Sequence, residues 1–349
     1  MRKVLFLILI SLFTLNVSSA AGKDLKVLYW NVQNGMWSGQ DDDYNAFVNW
    51  VKAQKPDVCI WAEAETIYYT GSSKRLPREE RYFIWDKVAP RYGHKYIYIA
   101  GHRDGYPQVM TSKYPIENVE KIVGDEETVV CHGAGWARIK VAGKILNLVS
   151  LHTWPQQNHF NCKGAAPEII KASAERGEGD MYRAQELKWI CEHTILTDKD
   201  AAENLWLMAG DFNAISPKDN WVYRLPENST KFLTHKYILE NTPYVDVIWE
   251  RNPRNFYTTT FEKKRIDFVY CSPALYDCML DAQIVEDYYT RPVRDERVRS
   301  FLNPSDHLPI IVTLQFLCIL HNFASILCVF QFPGFFHFPY REFYLPFLP

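Results

Sequence analysis

Runs of four to eight mostly apolar residues punctuate this chain from Lys26 to Leu314, and several of them stop on a polar side chain. Lys26–Trp30, Val58–Trp61, Tyr96–Ala100, Val109–Ser112, Gly135–Val141, Lys144–Leu151, Leu205–Ala209, Arg265–Tyr270 and Ile310–Leu314 all read as strands. Several are apolar on both alternating faces, the pattern of a strand buried within a layered sheet. Ala142-Gly143 links two of them so tightly that a hairpin is expected. Between the runs lie two helical stripes. Tyr44, Phe47, Val48 and Val51 share one face behind an aspartate cluster suited to a helix N-terminus, and Ala184, Leu187, Ile190, Cys191 and Thr194 share another. Hairpins mixed with helices, with no composition break and no internal repeat, predict one α/β domain over residues 23–316 of the 349.

The two ends differ from this body. Arg2 and Lys3, the apolar stretch Val4–Val17 and the small residues Ser18, Ser19 and Ala20 read as a cleaved signal peptide over residues 1–20. The apolar run is shorter than the roughly 20 residues a spanning helix needs. Export, to a secreted or periplasmic location, is the expectation. Beyond Leu317 the chain is dominated by Phe, Leu, Ile, Cys and Pro; residues 317–349 are an apolar, Pro-containing tail outside the working domain. Export would place eight cysteines in an oxidising compartment. No CxxC pair is present, which argues against zinc. Cys59 reads as a core thiol, and Cys131, Cys162, Cys191, Cys271 and Cys278 are candidates for one or two disulfides.

A net charge of −2 provides no overall pull toward nucleic acid or acidic membranes. Two irregular segments are nevertheless candidates for substrate contact: the polar loop Pro155–Asp180, with Trp154, His159 and Phe160 at its start, and the segment bearing Arg291, Arg294, Arg297 and Arg299. Asp295 and Glu296 interrupt the arginines, so a solvated loop is the plainer reading of the second.

The chemistry lies in short polar motifs at strand ends, where α/β sheets place reactive groups. Asn31 closes the first apolar run and Glu63 follows Val58-Cys59-Ile60-Trp61-Ala62. His152 ends Val149-Ser150-Leu151, and Gly210-Asp211-Phe212-Asn213 follows Met208-Ala209. Ile266-Asp267-Phe268 and Ser305-Asp306-His307 complete the series. Each has an ordinary explanation alone: a turn cap, a surface charge, a core histidine, an Asx turn. Their joint occurrence in this order is harder to explain that way.

The series resembles the endonuclease/exonuclease/phosphatase superfamily, with Asn, Glu, His, Gly-Asp-x-Asn, Ile-Asp and Ser-Asp-His in that order from Asn31 to His307. Thr111-Ser112-Lys113-Tyr114-Pro115-Ile116 also resembles a strand-to-turn segment of that family. Two departures stand out. Ala62 replaces the glutamine usual before the glutamate, which leaves Glu65 as a second candidate ligand, although spacing from Pro56-Asp57 favours Glu63. Gln33 stands where nuclease relatives often carry aspartate.

The resemblance implies a DNase I-like four-layer α/β sandwich, two packed mixed β-sheets flanked by helices. It implies a divalent-metal-dependent phosphoesterase in which water attacks directly. Asn31, Glu63 and Asp306 would hold Mg²⁺, with Mn²⁺ or Ca²⁺ as alternatives. Asp211 would position or deprotonate the water, and Asn213 and His152 would donate to phosphate oxygens. His307, held by Asp267, would be the acid–base group. The expected partner is a phosphoester, whether nucleic acid, phospholipid or small phosphodiester, met by a monomer with no protein partner. No G-x-S-x-G elbow or Walker A loop is present. Rival readings are a non-catalytic ligand-binding protein on the same fold and, from the apolar ends alone, a membrane-tethered interaction protein. The complete polar set counts against the first.

Overall fold

The computed structural model describes residues 23–155, 166–168, 171 and 179–316. The expected signal peptide, the tail beyond Phe316, His159, Phe160, Cys162 and most of the Pro155–Asp180 loop lie outside the described residues. Lys23–Phe316 forms one compact unit.

Its backbone is organised around two six-stranded sheets. The first holds β1 (Lys23–Asn31), β2 (Val58–Ala62), β3 (Tyr96–Ile99), β4 (Val109–Ser112), β11 (Met279–Ile284) and β14 (Ile310–Phe316), in the order β11-β14-β1-β2-β4-β3. The second holds β5 (Glu117–Gly124), β6 (Val129–Val141), β7 (Lys144–His152), β8 (Leu205–Asp211), β9 (Val245–Asp246) and β10 (Asp267–Cys271), in the order β5-β6-β7-β8-β10-β9. β12 (Val293–Arg294) and β13 (Leu302–Asn303) form a small ribbon apart. Each sheet is antiparallel except for one parallel pair, β1 with β2 and β7 with β8. The C-terminal ends of those parallel strands therefore lie side by side, and they carry four of the expected site residues.

Strand alternation explains the layering. Leu25, Val27 and Tyr29 face a core shared with Ile139, Leu148, Leu207, Ala209 and Val269 of the second sheet. Leu28 and Trp30 face the other way, under α1 (Asn45–Gln54), where Phe47 and Trp50 meet Trp61 and Trp85. The second sheet is covered by Leu187, Ile190 and Cys191 of α2 (Gly179–Glu192) and by Ile238 of α3 (Leu233–Asn241). Each fully buried aliphatic or aromatic side chain in these layers contributes about 1.5–3 kcal/mol. The aspartates before α1 act as anticipated: Asp42 Oδ2 accepts the Ala46 amide at 2.8 Å.

The hairpin at Ala142-Gly143 is present, with both residues at positive φ (50° and 79°), the backbone conformation that lets a two-residue link follow the right-handed twist of β6 and β7. The Arg265–Tyr270 run enters the β8 ladder from Asp267, and the amides of Ile266 and Asp267 both donate to Thr259 Oγ1. Cys191, Cys271 and Cys278 are free thiols, as is Cys59, while Cys131 is disulfide-bonded. Among the described residues no helix is long and apolar enough to cross a membrane.

Candidate active site

Register fixes the centre of the site. Asp211, the last residue of β8, sits between His152 on parallel β7 and Asp267 on antiparallel β10. Gly210 is required just before it, since a Cβ there would lie 2.3 Å from the Leu151 carbonyl oxygen. The chain then turns: the Asn213 amide donates to Asp211 Oδ1 at 2.8 Å, and Asn213 adopts a left-handed φ of 44°. Gly-Asp-x-Asn is thus both an Asx turn and a device that aims Asp211 Oδ2 away from its own backbone.

Three groups surround that oxygen. Asn31 Nδ2 donates to it at 3.1 Å, His152 Nε2 lies 3.6 Å away and His307 Nε2 3.7 Å away. His307 Nδ1 lies 2.7 Å from Asp267 Oδ2, and Asp267 Oδ1 accepts the Tyr29 hydroxyl at 2.7 Å. Ser305 ties the last motif to the first strand: its Oγ donates to the Asn31 carbonyl at 2.6 Å and accepts the His307 amide at 3.1 Å. Asp306 follows, with Oδ1 3.9 Å from His307 Nε2.

Glu63 approaches from β2. Its φ of 53° is left-handed, a strained conformation for glutamate of the kind that gathers at functional sites. Oε2 accepts the Asn34 amide at 3.0 Å and Oε1 lies 3.4 Å from Asn31 Nδ2. Glu63 lines the same cavity as Asp306, whereas Glu65 faces Arg81, His102 and Asp104. That cavity, about 710 Å³, is bordered by Glu63, His152, Asp211, Asn213, Asp306 and His307, with Arg294, Lys231 and Lys264 farther out.

Burial and charge divide the groups. Burial, then the neighbouring Asp267 carboxylate, pushes Asp211 up to about 7. Burial opposes charging His307, but Asp267, Asp306 and Asp211 outweigh it and hold its pKa well above the usual value. His152 goes the other way: burial, then His132 and His307, hold it well below. Glu63 is raised by burial and by the charge of Asp306.

Two places could take a cation. The ligand atoms of Asp211, Asp267 and His307 lie within 4.8 Å of one another. The hydrogen bond between His307 and Asp267 already uses part of that set. The carboxylates of Glu63 and Asp306 repel each other, and neither makes an ion pair with lysine or arginine among the described residues. Two hard carboxylates in one cavity are a donor set suited to Mg²⁺, with the Asn31 side chain beside Glu63; Asn31 turns Nδ2 toward Glu63, and its Oδ1 accepts the Gln33 amide at 3.1 Å. Asp104, Cys131 and His132 also cluster, but disulfide-bonded Cys131 has no thiolate to offer.

All eight residues singled out in the sequence therefore converge. Sequence reasoning missed Tyr29, whose only signal was its place two residues before Asn31 on the same strand. It also missed Asp104, His132 and Glu186, which lie in no strand-end motif. Of the arginine-rich segment, Arg291 pairs with Glu286 and Arg297 with Asp41 and Asp295; Arg294 reaches the cavity.

The family model described as Endonuclease/Exonuclease/phosphatase family matches residues 28–307. No curated protein matches the chain. Among solved structures, an AP endonuclease from Archaeoglobus fulgidus superposes with a TM-score of 0.54 at 19% identity, over 83% of this chain and 99% of that one. An endonuclease/exonuclease/phosphatase from Beutenbergia cavernae DSM 12333 gives 0.52 at 16%, over 84% and 72%. The catalytic domain of human nocturnin with bound sulfate gives 0.54 at 11%, over 84% and 93%. At these identities the likeness is one of fold, and the fold is the two-sheet DNase I-like sandwich that the motif series implied.

Proposed function

The chain belongs to the endonuclease/exonuclease/phosphatase family, a family of metal-dependent phosphoester hydrolases, and from that premise we propose that it hydrolyses a phosphodiester or phosphomonoester by direct attack of water. The observation that carries this reading is the arrangement around Asp211: two imidazole Nε2 atoms at 3.6 and 3.7 Å from one carboxylate oxygen, one backed by Asp267 and the other not.

Glu63, Asp306 and Asn31 would hold a divalent cation, which when bound neutralises charge on the phosphoryl group. Asp211, raised toward neutrality and hydrogen-bonded by the Asn31 amide, orients a water and accepts its proton. His307, kept cationic by Asp267, stabilises negative charge and carries a proton at Nε2. Neutral His152 contributes an N–H toward the phosphoryl oxygens. Asn213 spends one Nδ2 hydrogen on the Thr153 carbonyl at 3.0 Å and has the second for substrate. No nucleophilic side chain is needed, so no covalent intermediate forms.

The purified protein should hydrolyse at least one of bis-p-nitrophenyl phosphate, p-nitrophenyl phosphate, plasmid DNA, RNA, sphingomyelin or inositol phosphates with Mg²⁺, Mn²⁺ or Ca²⁺. EDTA should abolish the activity and excess metal restore it. Glu63→Gln should raise the metal concentration at half-maximal rate by about tenfold or more, as loss of a charged ligand predicts. Folded protein that is silent across the panel would instead favour a binding protein on this fold.

We place the protein outside the cytoplasm on the strength of its first twenty residues. Intact mass after expression should show a chain starting just after Ala20; a retained Met1 in exported or membrane fractions would contradict cleavage.

A further inference from the structure

His307 and His152 both turn Nε2 toward Asp211, yet they are oriented differently. Asp267 holds Nδ1 of His307 directly. Nδ1 of His152 is buried, faces the Tyr106 backbone and has no carboxylate partner among the described residues. What lies against the His152 ring is another histidine, His132, with centroids 4.3 Å apart.

His132 is itself firmly held. Its Nδ1 lies 2.5 Å from Asp104 Oδ2, a charge-assisted hydrogen bond, and Asp104 Oδ1 accepts the Tyr106 amide at 3.0 Å. The ring stacks on Trp154 at 5.7 Å, and its backbone carbonyl accepts Gln108 Nε2 at 3.1 Å. Both flanking backbones are fixed to α2. The buried Glu186 carboxylate accepts the amides of Cys131 at 3.0 Å and Trp154 at 2.7 Å, while Arg183 donates to the Trp154 carbonyl at 2.9 Å. No step of phosphoester hydrolysis outlined above uses this assembly. His132 is buried and Asp104 half-buried, and such a charge-assisted pair set beside the site calls for a role.

We propose that Asp104 and His132 are positioning residues that fix the ring of His152 at the reaction centre. The arrangement is one link longer than the Asp267–His307 pair: a carboxylate orients one imidazole, and that imidazole packs against the next. Directions of charge agree. Burial disfavours the His132 imidazolium, but Asp104, Glu186 and Glu63 raise its pKa, while burial, His132 and His307 lower that of His152. Asp211 is the carboxylate facing His152 on its other side. Held by the packed His132 ring, His152 keeps Nε2 turned to the reaction centre, where it can meet a phosphoryl oxygen.

The inference rests on the phosphoesterase reading, so its test has one arm that needs turnover and one that does not. Steady-state hydrolysis of bis-p-nitrophenyl phosphate with Mg²⁺ would compare wild type, Asp104→Asn, His132→Phe, His152→Ala and the His132→Phe/His152→Ala double variant. Asp104→Asn and His132→Phe keep the shape of the site, and each should lower kcat roughly tenfold to a hundredfold with KM within about threefold. His132→Phe should have no further effect once His152 is alanine. The second arm follows ring ¹⁵N shifts in ¹⁵N-histidine-labelled protein, with His152 assigned by its disappearance in His152→Ala; both single variants should move its signals. Wild-type rates in both single variants, an additive loss in the double variant, or unmoved His152 signals would each overturn the proposal. Were wild type inactive on every phosphoester, the phosphoesterase reading would fail and the ¹⁵N arm alone would decide the positioning role.

Discussion

Asp211→Asn is expected to lower kcat for phosphoester hydrolysis by about a thousandfold, within the 10²–10⁴ range of a general base, while leaving KM and thermal stability nearly unchanged. Asparagine is isosteric, and its side-chain oxygen can still accept the Asn213 amide that closes the turn. What it removes is the anionic oxygen facing Asn31 Nδ2, His152 Nε2 and His307 Nε2 within 3.1–3.7 Å. A proton acceptor is lost while the scaffold stays. His307→Ala should cost a similar factor, and the double variant little more than either alone, because residues that act as one unit are not additive. Steady-state kinetics at saturating Mg²⁺ on whichever substrate the panel identifies would check this. A drop of less than tenfold in Asp211→Asn would remove Asp211 from the centre of the reaction. A large drop accompanied by a lowered melting temperature would make it structural instead.

Much of this site was legible because chemistry and topology coincide in the sequence. An apolar run ending in Asn31, Glu63, His152 or Asp211 is a buried strand delivering a polar group to one edge of a sheet, and both properties are written locally. The strands that went unread were β5, β9 and β11, all at sheet edges, and the two-residue strands β12 and β13 of the separate ribbon. There only one flank is paired, and Glu117–Gly124 and Met279–Ile284 carry charges that an interior strand could not bury. Sheet order was equally hidden: that β14 inserts between β11 and β1 depends on contacts across some 280 residues of sequence. The support behind the site was illegible for a related reason. Tyr29 reads as one more core aromatic until its hydroxyl is seen on Asp267. Asp104 reads as a loop residue until it meets His132, twenty-eight positions on. Partners that act through a neighbour leave no motif of their own.

The substrate is a different matter, because the features that would select it lie at the rim rather than the floor of the cavity. Lys264 is paired with Glu262, and Arg294 packs over Phe261 at 5.1 Å while donating to the Arg299 carbonyl. Such groups can meet a phosphate, a nucleobase or a headgroup with the same side chains. The candidate reacting groups sit deeper, fixed by strand register. The proposed reaction class therefore rests on the residues of the site, and substrate choice on its rim.

Arg265→Met should be the most destabilising single change in the domain, by about 3–5 kcal/mol, the range for stripping the partner from buried charges. Arg265 is only 2% exposed. Its Nε meets Asp219 Oδ2 at 2.7 Å, and its two terminal nitrogens meet both oxygens of Asp246 at 3.0 and 2.8 Å. Methionine fills much of the volume but leaves two buried carboxylates facing each other. Such a loss corresponds to a melting temperature lower by on the order of 10 °C. The deficit should depend on pH with a definite sign. Burial raises the pKa of Asp219 even with Arg265 present to oppose it, and deletion of that cation raises it further. A carboxyl raised above its unfolded value of about 3.9 contributes stability only while protonated, a contribution lost as pH rises through the folded pKa. The gap between variant and wild type should thus be narrow near pH 4 and wide at pH 7. Adding Asp219→Asn and Asp246→Asn should recover much of the loss at neutral pH, since the uncompensated charges disappear with them. Activity should fall too, because Arg265 lies two residues before Asp267, the first residue of the strand that carries it to His307. Thermal unfolding of the three proteins at both pH values would decide: a pH-independent deficit, or one of only a degree or two, would mean the cluster is packed against water rather than sealed from it.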